Sequence, residues 1–158
     1  MRAGCLRSPN RKGEVPMQGY EKILVPLDGS EVSESVLPEV EKLATAFKAG
    51  ISLLRVAYAP TIPGVDPTKT QVAVVREAEE YLQRIEERLK AKGFQVDSHV
   101  RYGDEAEEIL DHSARGEIGL IAMSTHGHSG VKRWVLGSVA EKILRHATKP
   151  IFLVRFRG

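Results

Sequence analysis

Lys22-Ile-Leu-Val-Pro-Leu-Asp-Gly-Ser30 is the stretch from which the fold can be read. Its apolar run from Ile23 to Leu27 does not alternate with polar residues, which is the profile of a strand buried on both faces. The run stops at Asp-Gly-Ser, where Ser30 can cap a helix and Glu31 and Glu34 lie near that helix's positive end. Behind the cap, Val36, Leu37, Val40, Leu43, Ala44 and Phe47 recur at helical spacing. A doubly buried strand feeding an amphipathic helix is the repeating unit of a parallel sheet.

The pattern continues outward from there. Gly50 opens a second strand, Ile51–Ala57, and the three prolines and one glycine between Pro60 and Pro67 make a loop. A long helix follows, with Val72, Val75, Ala78, Leu82, Ile85 and Leu89 on one face and Gly93 at its end. A third strand spans Phe94–Arg101. Asp104 and Glu107, spaced as a capping box, start the next helix, and Gly116 closes it. Ile118–Met123 reads as a buried strand, Ser124–Arg133 as a glycine-containing loop, Ser138–His146 as a helix and Ile151–Val154 as the last strand. The order β-α-β-α-β-α-β-α-β implies right-handed crossovers and an open, doubly wound α/β domain. The expected architecture is a five-stranded parallel sheet, helices on both faces, Rossmann-like. Residues 1–19, with three glycines, two prolines and almost no large apolar side chain, read as a flexible extension, and 20–158 as a single domain.

Composition narrows the function classes. Lys+Arg 23 against Asp+Glu 21 leaves a net charge of +2, too balanced for a nucleic-acid sleeve or a polybasic membrane anchor. The single Cys5 closes no intramolecular disulfide and has no basic neighbour placed to activate it. No apolar run approaches the ~18 residues of a membrane helix, and Met1–Pro16 lacks the apolar core of a secretory signal. A soluble, cytoplasmic protein without nucleic-acid or membrane partners is expected.

Ligands of open α/β sheets bind beyond the carboxyl ends of the strands, where strand order reverses. The first and fourth strands end in Asp28-Gly29-Ser30 and Ser124-Thr-His-Gly-His-Ser-Gly130, whose small residues let backbone N–H groups approach an anion. Gly137-Ser138 then opens a helix, where free N–H groups favour phosphate. No P-loop, dinucleotide G-x-G-x-x-G, nucleophile elbow or H-E-x-x-H pattern occurs. Structural readings stand beside the functional ones. Ser138-x-x-Glu141 has the spacing of a capping box, and Asp28 suits an Asx turn. His126-x-His128 lacks a third ligand for a metal. Lys132-Arg133 could meet a phosphate tail or lie in solvent, and Trp134 suits packing or an interface.

Ile121-Ala-Met-Ser-Thr-His-Gly127, nine further residues and Gly137-Ser-Val-Ala-Glu-Lys-Ile-Leu-Arg-His-Ala-Thr-Lys-Pro-Ile-Phe-Leu-Val154 strongly resemble the universal stress protein family, as does Lys22–Ser30. The resemblance covers about residues 20 to 155 and implies the adenine nucleotide alpha hydrolase-like variant of the fold. Its ATP-binding branch carries Gly-x-x-Gly, nine residues, then Gly-Ser or Gly-Thr. Here Ser124 stands at the first glycine, followed by Gly127 and Gly137-Ser138. Carried over, the resemblance implies that Pro26, Leu27 and Asp28 line the adenine and ribose end, and that Ile51 packs on the adenine. It places Met123 beside the base, Ser124 and Gly127 near ribose and phosphates, and Gly137, Ser138 and Val139 around the phosphates. ATP is the implied ligand, with Mg2+ or Mn2+ held through its phosphates. The chain offers no positioned general base, arginine finger or P-loop lysine for efficient phosphoryl transfer, so a regulatory binding module is expected rather than an efficient enzyme. The alternative is a dimeric scaffold that binds no nucleotide. Ile151-Phe-Leu-Val-Arg-Phe156, apolar on both faces with no element after it, is expected to pair two copies into a homodimer, as the resemblance also implies.

Overall fold

The computed structural model describes residues 20–59, 63–64, 66–126 and 136–156. The elements run β1 (Lys22–Pro26), α1 (Glu31–Glu34), α2 (Leu37–Phe47), β2 (Gly50–Ala57), α3 (Pro67–Ala91), β3 (Val96–Tyr102), α4 (Glu105–Arg115), β4 (Ile118–Ser124), α5 (Ser138–His146) and β5 (Ile151–Val154). The sheet has the order β3-β2-β1-β4-β5, and every pairing is parallel. The chain starts at the centre, builds outward through β2 and β3, then crosses to β4 and β5. Strand order therefore reverses between β1 and β4.

Alternation along β1 explains why the sheet is covered on both sides. Ile23 and Val25 belong to a core shared with Val40 of α2 and with Leu82, Ile85 and Leu89 of α3. Leu24 belongs to the opposite core, with Leu54, Ile121, Ile109 of α4 and Ile143 of α5. Ile23, Leu24 and Val25 are all 0% exposed, so neither face tolerates a polar residue here. Among the described residues, no helix is long and apolar enough to cross a membrane.

Three elements depart from the periodicity. The helix expected after Ser30 is two helices, because Pro38 has no N–H to give and its ring crowds the carbonyl four residues back. Helix α3 buries nothing before Ala78, and Val72 is 62% exposed, so its apolar stripe outruns the sheet beneath it. Strand β3 starts at Val96 rather than at Phe94, while Gly93, at φ +93, ends the turn after α3 as its position suggests.

Candidate functional site

The site grows from the end of β1. Leu27 N–H donates to Leu54 O at 2.8 Å, extending the ladder by one residue, and the chain then turns. Asp28 Oδ1 accepts from Ser30 N at 2.9 Å and from Ser30 Oγ at 2.6 Å, an Asx turn. Gly29 sits at φ +88 within it, a conformation that side chains with a Cβ resist. Ser30 Oγ accepts from Ser33 N at 3.1 Å, capping α1, and Ser33 Oγ donates to Ser30 O at 2.9 Å. The carboxylate of Asp28 is thus held by the same turn that starts α1.

The facing wall comes from β4. Thr125 N donates to Val154 O at 2.9 Å, and Thr125 O accepts from Gly137 N at 2.9 Å, which draws the start of α5 against the end of β4. A Cβ on Gly137 would lie 3.3 Å from Thr125 O, so glycine permits this approach. Gly137 is also the N-cap of α5 and makes no side-chain cap bond. Ser138 is therefore the first helical residue, and its capping box with Glu141 does not form. Glu141 instead accepts from Arg145 Nη2 at 2.6 Å. The amide groups of the first turn of α5 are left for solvent or for a ligand.

Between the two walls, at the point of reversed strand order, lies a cleft of about 230 Å3. Of the residues expected from the sequence, Pro26, Asp28, Met123, Ser124, Gly137, Ser138 and Val139 line it. Leu27 does not, being 2% exposed in the core under α2 and α3. Ile51 does not either. It is 0% exposed and pairs with Ile23 and Val96 at the opening of β2, the end of the strand away from the cleft. The carboxyl end of β2 brings Val56 instead, half-buried against the cluster that holds Met123 and Ile109. Gly127 lies outside the described residues, as do Cys5, His128, Lys132, Arg133 and Trp134.

Thr125 and His126, from the loop expected at the crevice, also line it, and sequence reading missed Ser33, Glu105, Ile109 and Ala140, which complete the lining. Asp104 caps α4 through a bond from Glu107 N at 3.1 Å, and that bond, with Lys142 beside it, holds its carboxyl below the usual range. The cap places Glu105 at the first turn of α4 and Ile109 one turn further along the same face. His126 Nδ1 lies 2.9 Å from Thr125 Oγ1. No group of three His, Cys, Asp or Glu side chains able to hold a metal occurs among the described residues. The cleft joins an apolar wall (Pro26, Ile109, Met123), hydroxyl groups on Ser33, Ser124 and Ser138, carboxylates on Asp28 and Glu105, and a helix N-terminus. Chemically, it can hold a flat apolar body bearing hydroxyls and an anionic tail.

Fold and cleft together define a doubly wound α/β protein with a crevice at its switch point. The sequence model of the universal stress protein family matches residues 19–155, and the chain belongs to that family. It is similar to universal stress protein YxiE of Bacillus subtilis, 29% identical over 149 residues that span 86% of this chain and 99% of the relative. A universal stress protein of Methanothermobacter thermautotrophicus is 32% identical over 143 residues, 86% of this chain and 96% of its own. Among solved structures, the protein MJ0577 of Methanocaldococcus jannaschii matches with a TM-score of 0.80 at 29% identity, covering 89% of this chain and 99% of that one.

Proposed function

We propose that this protein binds ATP in the cleft between β1 and β4 and works as a regulatory binding module of the stress response. One observation carries the reading: the uncapped start of α5 converges on the Asp28 turn and on Met123-Ser124 at the reversal of strand order. A base fits against Pro26 and Met123, a ribose within reach of Asp28 and Ser124, and the phosphates at Gly137, Ser138 and Val139, where dipole and amides favour negative charge. Mg2+ or Mn2+ would be carried by the phosphates and water, and turnover would be slow. Equilibrium dialysis of labelled ATP with Mg2+ against the full chain tests this, and saturable binding is expected. No binding at millimolar ATP would sink the proposal.

A second reading, assembly through β5, has its own support. The strand closes one edge of the sheet, its four residues are half-buried, and Phe156 beyond it is 42% exposed. Phe152 and Val154 pack toward the α2–α3 face while Ile151 and Leu153 pack toward α4 and α5, so both sides of this edge are apolar. A homodimer joined at β5 is the expected form, and light scattering at micromolar protein reads it as twice the chain mass. The two readings are compatible. A dimer without nucleotide would leave the scaffold reading alone.

A further inference from the structure

Arg55 is a charged residue in a strand that is otherwise core. It stands on β2 between Leu54, 0% exposed, and Val56, and its own side chain is only 18% exposed. Its guanidinium lies over the Tyr81 ring, 4.8 Å from the centroid. Its ion pair with Glu77, at 3.6 Å, goes to a partner that is 74% exposed, so that pair contributes little. The guanidinium also meets the turn. A Cβ on Gly29 would lie 3.3 Å from Cζ, Nη1 and Nη2 alike, and equal distances to all three atoms mean that the planar group presents its face to Gly29. Tyr81 also holds the helix that the turn starts, because its hydroxyl donates to Glu34 Oε1 of α1 at 2.9 Å. Burial first, then Glu34, push this phenol far above its ordinary range, so it remains a donor at any physiological pH.

We propose that Arg55 is a positioning residue for the ligand cleft: stacked on Tyr81, its guanidinium is the floor on which the Asp28-Gly29-Ser30 turn rests, and it thereby sets where the Asp28 carboxylate stands. The inference builds on the nucleotide reading above and says which part of the ligand feels Arg55. Asp28 serves the nucleoside end, so the effect falls on base and ribose rather than on the phosphates. A flat, delocalised cation does this where a lysine would not, since a planar group can pack on an aromatic ring and still lay a face against the turn.

Titration calorimetry on the full chain, with ATP and with adenosine, tests it on wild type, Arg55→Met, Asp28→Asn and the double variant. Arg55→Met is expected to weaken both ligands by the same factor, about tenfold. In the Asp28→Asn background it should cost nothing further, because the two residues act through one contact. Affinities unchanged by Arg55→Met would overturn the inference. So would a loss confined to ATP, which would make Arg55 a phosphate-directed charge, or losses that multiply in full. Should Arg55→Met fail to fold by circular dichroism, Tyr81→Leu, which takes away the ring on which the guanidinium lies, carries the test. It should weaken both ligands about threefold, again without effect beside Asp28→Asn, and unchanged affinity would refute the proposal. A wild type that binds neither ligand defeats the nucleotide reading itself, whereas a binding wild type with an indifferent Arg55→Met defeats only this inference.

Discussion

His112 of α4 lies with its ring centroid 4.8 Å from that of His99 on β3, and its Nδ1 is buried with no hydrogen-bond partner. Burial, then the neighbouring His99 and Arg101, hold its imidazole below the ordinary 6.5. Lys22 and Asp97 complete the surroundings. The folded protein thus keeps His112 neutral where the unfolded chain would protonate it. Its contribution is complete above pH 6.5 and is lost as the pH falls from there toward the lower folded value. Urea unfolding should show a lower midpoint about one to two pH units below neutrality, and His112→Gln should flatten that slope. Asp97 acts in a separate, more acidic window. Burial works against its charge, but hydrogen bonds from Lys22 at 2.5 Å and Ser52 at 2.6 Å outweigh it, and the net pKa falls below 3.8. Its share is therefore kept above pH 3.8 and lost below. At the proposed phosphate end, Ser138→Glu places a carboxylate at the first helical position of α5, which favours the helix by about 0.3–1 kcal/mol. The same charge repels phosphate. ATP affinity in equilibrium dialysis should fall more than tenfold, by roughly 1.4 kcal/mol or more, while thermal stability holds or rises.

The elements differ in how firmly they are anchored, and α3 contains both extremes. Ile85, 4% exposed under β2 and β3, should cost about 2–5 kcal/mol as Ile85→Ala. Val72→Glu, on turns with nothing buried, should stay within about 0.5 kcal/mol of wild type in denaturant titrations. Periodicity could not tell these two positions apart, because both lie on one apolar stripe and only the length of the sheet separates them. The same limit recurs elsewhere. Apart from the split between α1 and α2, the strands and helices are announced by local apolar runs and caps, as Asp104 and Ser30 show. The pairing of β1 with β4 joins segments nearly a hundred residues apart, and nothing in either segment states it. Glu105, Ile109 and Ala140 reach the cleft through such long-range packing. The spacing of Ser138 to Glu141 also fits a capping box, and only the structure shows Gly137 in that role. Ile51, expected beside the base, opens β2 and so stands at the end of the strand away from the cleft. Pro38, plain in the sequence, was the unused signal for the break between α1 and α2.

For the whole molecule the decisive feature is the direction of the backbone at β5. Pro150 O accepts from Ile121 N at 3.0 Å and Val154 O from Thr125 N at 2.9 Å. Even-numbered residues of this strand therefore turn their peptide groups toward β4, and Leu153 turns its own toward the open edge. Leu153→Pro deletes an outward N–H while leaving those bonds to β4 in place. Light scattering should then report a monomer, with circular dichroism close to wild type. A variant that stays dimeric would place the contact elsewhere. The far edge of the sheet is β3, which turns Asp97, His99 and Arg101 to one side and has no strand beyond it among the described residues. Two copies joined at β5 would form one ten-stranded sheet, from five strands each, bounded at either end by β3. Charges at those ends oppose further strand addition, so growth would terminate after a single step, and a surface able to recruit one copy would not seed a fibre.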